Sequence, residues 1–283
     1  MKIKWNSEQI PNLNIKKNEG VTFLTYPAFE DVEWLVHGFS TRLGGVSQGI
    51  YSSMKLRFTR GDEESYVREN YNRIAAAMGF RAENIVTSDQ THTCNVRKVT
   101  EKDRGKGIVT PRDYTDIDGM ITNVPSLVLA TFYADCVPLY FVDLLHHAIG
   151  LSHSGWRGTV QKIGEVTIKK MAEEYGSNPK DMKVAIGPSI CQDCYEVSLD
   201  VIEEFKNAFD QKHWDKLFYA KDNEKYQLNL WEANRIIFTE AGICPENISM
   251  PNICTCCNPK FLFSHRASHG KRGNLGAFLG IRE

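Results

Sequence analysis

Cys136 and His153 are the two residues of this chain best placed to do chemistry together. Thiolate and imidazole are preferred ligands of a catalytic zinc, and the same pair can serve as nucleophile and base. Both lie in the stretch LVLATFYADCVPLYFVDLLHHAIGLSHSGWRGT, residues 127–159. It holds three apolar runs, 127–133, 137–142 and 147–151, all short, aromatic and β-branched. Divided by Ala134-Asp135-Cys136 and by Asp143-Leu144-Leu145-His146, they read as buried strands. The second break suits a tight hairpin, which makes the second and third runs antiparallel neighbours. Cys136 opens one strand and His153 closes the next, so both come to the same sheet edge. Asp135 lies beside the thiol, and Ser154-Gly155-Trp156-Arg157-Gly158 follows the imidazole.

A catalytic zinc needs about three protein ligands and an open position. His92, on a turn between strands expected at 84–88 and 95–99, is the best third ligand. Spacing alone leaves three readings open: a zinc centre, a thiol–imidazole nucleophile pair, and an inert buried cysteine. Asp135 and His153 are candidate proton carriers. Three arginines in small, polar, glycine-bearing stretches could form an anion site: Arg42, Arg157 and Arg266. Arg42 sits with Gly44 and Gly45 in the loop 40–49, which reads either as an anion cradle or as a plain connection. Gly155 and Gly158 allow a tight turn into a helix expected over 159–175, whose N-terminus would point at the edge holding His153.

The other cysteines suggest a second metal. Cys191 and Cys194 form a C-x-x-C, and Cys254, Cys256 and Cys257 form a second cluster. A structural zinc could join them, although the spacing departs from an ordinary pair of C-x-x-C motifs. The segment 188–194 also carries the cysteine half of a zinc deaminase signature. The H-x-E half is missing, since Thr93 and Cys94 follow His92, and that relationship is rejected.

The elements that must position these residues read as an α+β fold. Strands are expected at 21–28, 34–39, 182–187, 247–253 and 275–281, and helices at 64–78, 198–210 and 230–241, with Ser198 and Asn229 as N-caps. The stretch 101–116 is charged and reads as a surface loop. No repeat or linker divides the sequence, so a single domain over 1–283 is expected. With 34 basic and 35 acidic residues, there is no basic excess to favour nucleic acid. The first residues lack a signal-peptide apolar core, and Asp135 interrupts the longest apolar stretch, so we expect a cytoplasmic protein with no membrane span. Eight cysteines there are thiols or metal ligands rather than a disulfide framework.

Seven segments carry a resemblance to a known family: HGFSTRLGGVS (37–47), SDQTH (88–92), DGMIT (118–122), ADCVPL (134–139), HSGWRGT (153–159), AIGPSI…CYEV (185–197) and FSHRAS (263–268). In this order they resemble the YlmD/YfiH family, also called the laccase-domain or multicopper polyphenol oxidase family. The resemblance implies mixed β-sheets packed together with helices outside, similar to cytotoxic necrotizing factor. It implies phosphorolysis of adenosine, inosine, guanosine and methylthioadenosine, and deamination of adenosine. It also implies a His-Cys-His metal site, which maps onto His92, Cys136 and His153, with Zn2+ the expected ion and Cu2+ the alternative. Purine nucleosides and phosphate are then the partners. The alternatives are a Cys/His hydrolase, a copper-dependent phenol oxidase, and a structural-zinc or partner-binding module. The chain departs from the family pattern at Thr93, at Met54-Lys55-Leu56-Arg57 and at Ser154.

Overall fold

The structure, a computed structural model, describes residues 2–59, 61–222 and 224–283. Its strands are β1 (Asn14–Asn18), β2 (Val21–Thr25), β3 (Leu35–Ser40), β4 (Ile85–Thr87), β5 (Val96–Lys98), β6 (Gly119–Thr122), β7 (Val128–Tyr133), β8 (Val137–Asp143), β9 (Ala148–Ser154), β10 (Met182–Ile186), β11 (Glu196–Ser198), β12 (Phe218–Ala220), β13 (Lys225–Leu228), β14 (Ile248–Ser249) and β15 (Leu275–Ile281). The helices are α1 (Glu64–Met78), α2 (Trp156–Val160), α3 (Ile163–Tyr175), α4 (Leu199–Ala208), α5 (Trp214–Leu217) and α6 (Leu230–Glu240).

Two mixed six-stranded sheets dominate, with orders β1-β2-β3-β15-β7-β4 and β14-β10-β8-β9-β6-β5. Period-two alternation explains how they pack. In β8, Tyr140 and Val142 face the first sheet and join Phe39, Leu129, Leu279 and Ile149 in a core between the sheets. Val137, Leu139 and Phe141 face the other way, onto α3, α4 and α6. The outer face of the first sheet carries Val21, Val36 and Phe278 against Val67, Tyr71 and Ile74 of α1. Helices therefore cover both outer faces of a β-sandwich, as the α+β expectation requires.

The expected hairpin is present: β8 and β9 pair antiparallel from Val137↔Ser154 to Asp143↔Ala148. The first apolar run, however, belongs to the other sheet, where β7 pairs with β15 and β4. Ala134-Asp135-Cys136 is thus the crossover between sheets, and Asp135 takes the left-handed backbone this corner needs, with φ 87°. The helix expected over 159–175 is two pieces, α2 and α3, broken where Lys162 adopts φ 55°. Asn229 caps α6 by accepting from the Glu232 amide, whereas the Ser198 hydroxyl turns to Asp200 instead of capping α4. The charged 101–116 loop is anchored by buried Asp103, which accepts from Arg97 and Lys106 at 3.0 and 2.8 Å. A small third sheet, β11-β13-β12, has short polar strands that periodicity did not separate from loop. Among the described residues, no helix is long and apolar enough to cross a membrane.

Candidate metal centre

The hairpin register sets Pro138 opposite His153, so Cys136 lies just beyond the strand end beside the imidazole. His153 shares the inter-sheet face with Ile149 and Leu151, and its ring packs 5.4 Å from that of Tyr133. His92 comes from the loop between β4 and β5, and its ring lies 5.0 Å from that of His153. One ligand atom from each of His92, Cys136 and His153 falls within 4.8 Å of the others.

Asp118, which sequence reasoning passed over, assembles this group. Its carboxylate accepts from the amides of Thr91, His92 and Thr93 at 2.9, 3.1 and 3.0 Å and pairs with His153 Nδ1 at 2.7 Å. The amide contacts hold His92 at φ 68°, a strained conformation for this residue type. The imidazole contact fixes the His153 tautomer, so Nε2 is left to face the thiol. Burial opposes ionisation of Asp118, but these donors outweigh it and hold the carboxyl below its usual range. The available signal was register: Asp118 precedes β6, whose Gly119 pairs with Ser152 of β9.

Burial would raise the Cys136 thiol, yet the neighbouring His153 charge and hydrogen bonds from both histidines bring it down to about 6. Burial lowers His153 in turn, and the Cys136 thiolate with Asp118 overrides this, raising it to about 9. The group therefore favours a thiolate poised against an imidazolium, or against a cation in the proton's place. Two histidine nitrogens and a thiolate within reach of one point fit a catalytic zinc's donor set.

His92 and Cys136 line a small cleft of about 90 Å3 together with Asp135, Trp156, Arg157 and Tyr195 among others, and His153 is buried beside them. Arg157 is exposed at its mouth, with its guanidinium 4.2 Å from the Trp156 ring centre. Asp135 lines the cleft, but its two oxygens accept from Thr255 Oγ1 at 2.6 Å and the Arg266 amide at 2.7 Å. The Arg266 guanidinium donates to the Glu196 carbonyl and lies over Tyr195. Arg42, Gly44 and Gly45 stand apart from the cleft. Arg42 donates to the carbonyls of Ser52 and Pro259. A Cβ on Gly44 would sit 2.6 Å from the Gly20 carbonyl oxygen, and one on Gly45 2.1 Å from that of Ser53. Those glycines serve close packing of the loop.

The chain matches the multi-copper polyphenol oxidoreductase laccase family over residues 36–282. It belongs to this family, the YlmD/YfiH family. Purine nucleoside phosphorylase YlmD of Bacillus subtilis is 37% identical over 253 residues, 88% of this chain and 89% of that one. A purine nucleoside phosphorylase of Bacteroides thetaiotaomicron is 32% identical, covering 89% of this chain and 93% of its own. The crystal structure of YlmD from Geobacillus stearothermophilus superposes with a TM-score of 0.87 at 32% identity, covering 96% of this chain and all of that one. The family's α+β fold is the fold found here.

Proposed function

We propose that this protein is a metal-dependent purine nucleoside phosphorylase that also deaminates adenosine. The substrates are adenosine, inosine, guanosine and methylthioadenosine, the co-substrate is phosphate, and the setting is the cytoplasm. The observation that carries the proposal is the convergence of His92, Cys136 and His153, the first two lining a cleft, in a chain whose relatives are named purine nucleoside phosphorylases. His92, Cys136 and His153 would hold Zn2+, with Cu2+ the alternative ion. Bound there, zinc would supply an open Lewis-acid position for a water or a substrate atom.

The chain's own residues do the rest. Asp118 keeps His153 in one tautomer and orientation. Arg157, exposed and stacked on Trp156, offers the forked donor that phosphate requires. Asp135 holds the 255 and 266 loops against the cleft, and His153, facing the thiol, is the stronger candidate to hold or pass a proton. A cleft of about 90 Å3 is far below the roughly 300–1,000 Å3 of enclosed ligand pockets. The nucleoside therefore extends past Arg157 towards solvent.

The test is incubation of metal-loaded protein with adenosine, with and without phosphate, followed by chromatography. Adenine and ribose 1-phosphate should require phosphate, whereas inosine should form without it. Arg157→Ala should depress the phosphorolytic products at least tenfold and inosine less. Arg42→Ala, which removes a loop tie, should depress both alike. No turnover of any purine nucleoside would end the proposal.

A thiol hydrolase is the second reading, favoured by the lowered Cys136 thiol beside an oriented imidazole. It requires rapid alkylation of Cys136 by iodoacetamide in metal-loaded protein. A zinc-held thiolate reacts slowly until a chelator is added. Multicopper oxidation is disfavoured by the donor sets themselves: the clusters among the described residues are one of two histidines and a cysteine and one of four cysteines.

A further inference from the structure

Cys191, Cys194, Cys254 and Cys257 meet beside the cleft wall formed by Ile190. Their sulfurs all lie within 4.8 Å of one another, with Cys194 and Cys257 at 3.5 Å. A tetrahedral ion with four Zn–S bonds of about 2.3 Å separates its sulfurs by roughly 3.8 Å, so this spacing suits a shared cation. It is too wide for any disulfide, whose sulfurs sit about 2.0 Å apart. The sequence obscured the pattern because Cys256 stands inside the second motif. With Cys257 as the partner, both halves are ordinary C-x-x-C turns.

The surroundings are built for thiolate. Cys254 is fully buried and Cys191 nearly so. The Cys254 sulfur accepts from the amides of Cys191 at 3.2 Å and Cys257 at 3.4 Å. Amide donors aimed at a buried sulfur stabilise its anion, and four thiolates could not share this space without a cation. Backbone contacts join the loops here: Ser189 bridges Cys254, and the Thr255 amide donates to the Ser189 carbonyl at 3.1 Å.

We propose that these four cysteines hold a structural zinc ion, separate from the His92–Cys136–His153 centre. Four thiolates in a closed tetrahedral set leave no open position, so the site binds and does not react. Its role is to clamp the loops at 187–194 and 254–258. Those loops reach the cleft through two contacts on Asp135: Ile190 donates its amide to the Asp135 carbonyl at 3.0 Å, and Thr255, inside the second motif, donates its hydroxyl to the carboxylate at 2.6 Å. The clamp thus backs the residue preceding Cys136 and the cleft wall at Ile190 and Tyr195.

The experiment is zinc analysis of the full chain, purified anaerobically with reductant and without chelator. Wild type should hold two zinc ions per chain, Cys136→Ala one, and Cys194→Ser/Cys257→Ser one. Cells grown on cobalt should yield Cys136→Ala protein with intense thiolate-to-cobalt charge-transfer and tetrahedral ligand-field bands. If the double variant does not fold, the Cys136→Ala protein still decides, since all four cysteines remain intact there. A single zinc in wild type that persists in Cys136→Ala would uphold this site and count against the catalytic one. Cys136→Ala protein free of zinc and of cobalt–thiolate bands would overturn the proposal. So would iron in zinc's place, or a Cys194–Cys257 disulfide found by mass spectrometry.

Discussion

At the scale of single residues, Asp118 decides how well the centre is organised. Its carboxylate is fully buried and holds two of the three candidate ligands, His92 through the backbone and His153 through the ring. Residues that orient metal-bound histidines typically contribute about 10–100-fold to metal affinity. Asp118→Asn should therefore weaken zinc binding by that order in a chelator competition, with all three ligands intact. Unchanged affinity would show that the loop holds His92 without it. A second prediction concerns Cys136. Its folded pKa lies below the ordinary thiol value, so the thiolate persists down to about pH 6. In metal-stripped protein, iodoacetamide alkylation of Cys136 should rise with a midpoint near pH 6. A midpoint near 9 would remove the imidazolium from the argument. The juxtaposition of Cys136 and His153 was legible because both chemistry and hairpin spacing pointed to it. Asp118 was not, since a lone aspartate before a glycine gains meaning only from the β6–β9 register.

At the scale of elements, the end of β9 must pass very close to the centre. A Cβ on Gly155 would lie 2.9 Å from His92 Cδ2 and 3.2 Å from the Cys136 sulfur. Its φ of −75° is ordinary, so space alone requires glycine here. His92 cannot easily yield, because Asp118 fixes its backbone. Gly155→Ala should cost at least tenfold in zinc affinity and activity while leaving the thermal midpoint near that of wild type. An active, metal-loaded alanine variant would show that the ligands have more freedom than their contacts suggest. Elements with strong periodicity, such as α1 and the β8–β9 hairpin, followed directly from the sequence. The assignment of β7 to the other sheet did not, because a run buried on both faces carries no mark of its sheet partner. The loop 40–49 kept two readings open for a related reason: glycines that admit a neighbouring backbone look the same in sequence as glycines that admit an anion.

At the scale of the whole molecule, the sandwich closes by placing β15, from the end of the chain, between β3 and β7. This leaves His37 of β3 half-buried, with its Nε2 accepting from the Tyr26 amide at 3.0 Å and its ring packed against Tyr26 and Phe29. Loss of solvent around the ring is the main cause that lowers its pKa, to about 4 from 6.5. The unfolded chain therefore binds a proton on His37 between pH 6.5 and 4 that the folded chain refuses. Stability must fall as pH drops through that window, by at most about 1.4 kcal/mol per pH unit for one proton. Asp103 acts lower down. Burial would raise its carboxyl, but the lysine, amide and arginine donors outweigh this and bring the folded pKa to about 2 against 3.8. Its contribution is lost as pH falls from 3.8 through 2. Acid unfolding should thus begin well above the carboxylate range. His37→Gln can keep an acceptor for the Tyr26 amide without a titrating ring. Urea midpoints measured from pH 7 to 4 should decline in wild type and run flatter in this variant. Parallel curves for the two proteins would mean that another group sets the onset of acid unfolding.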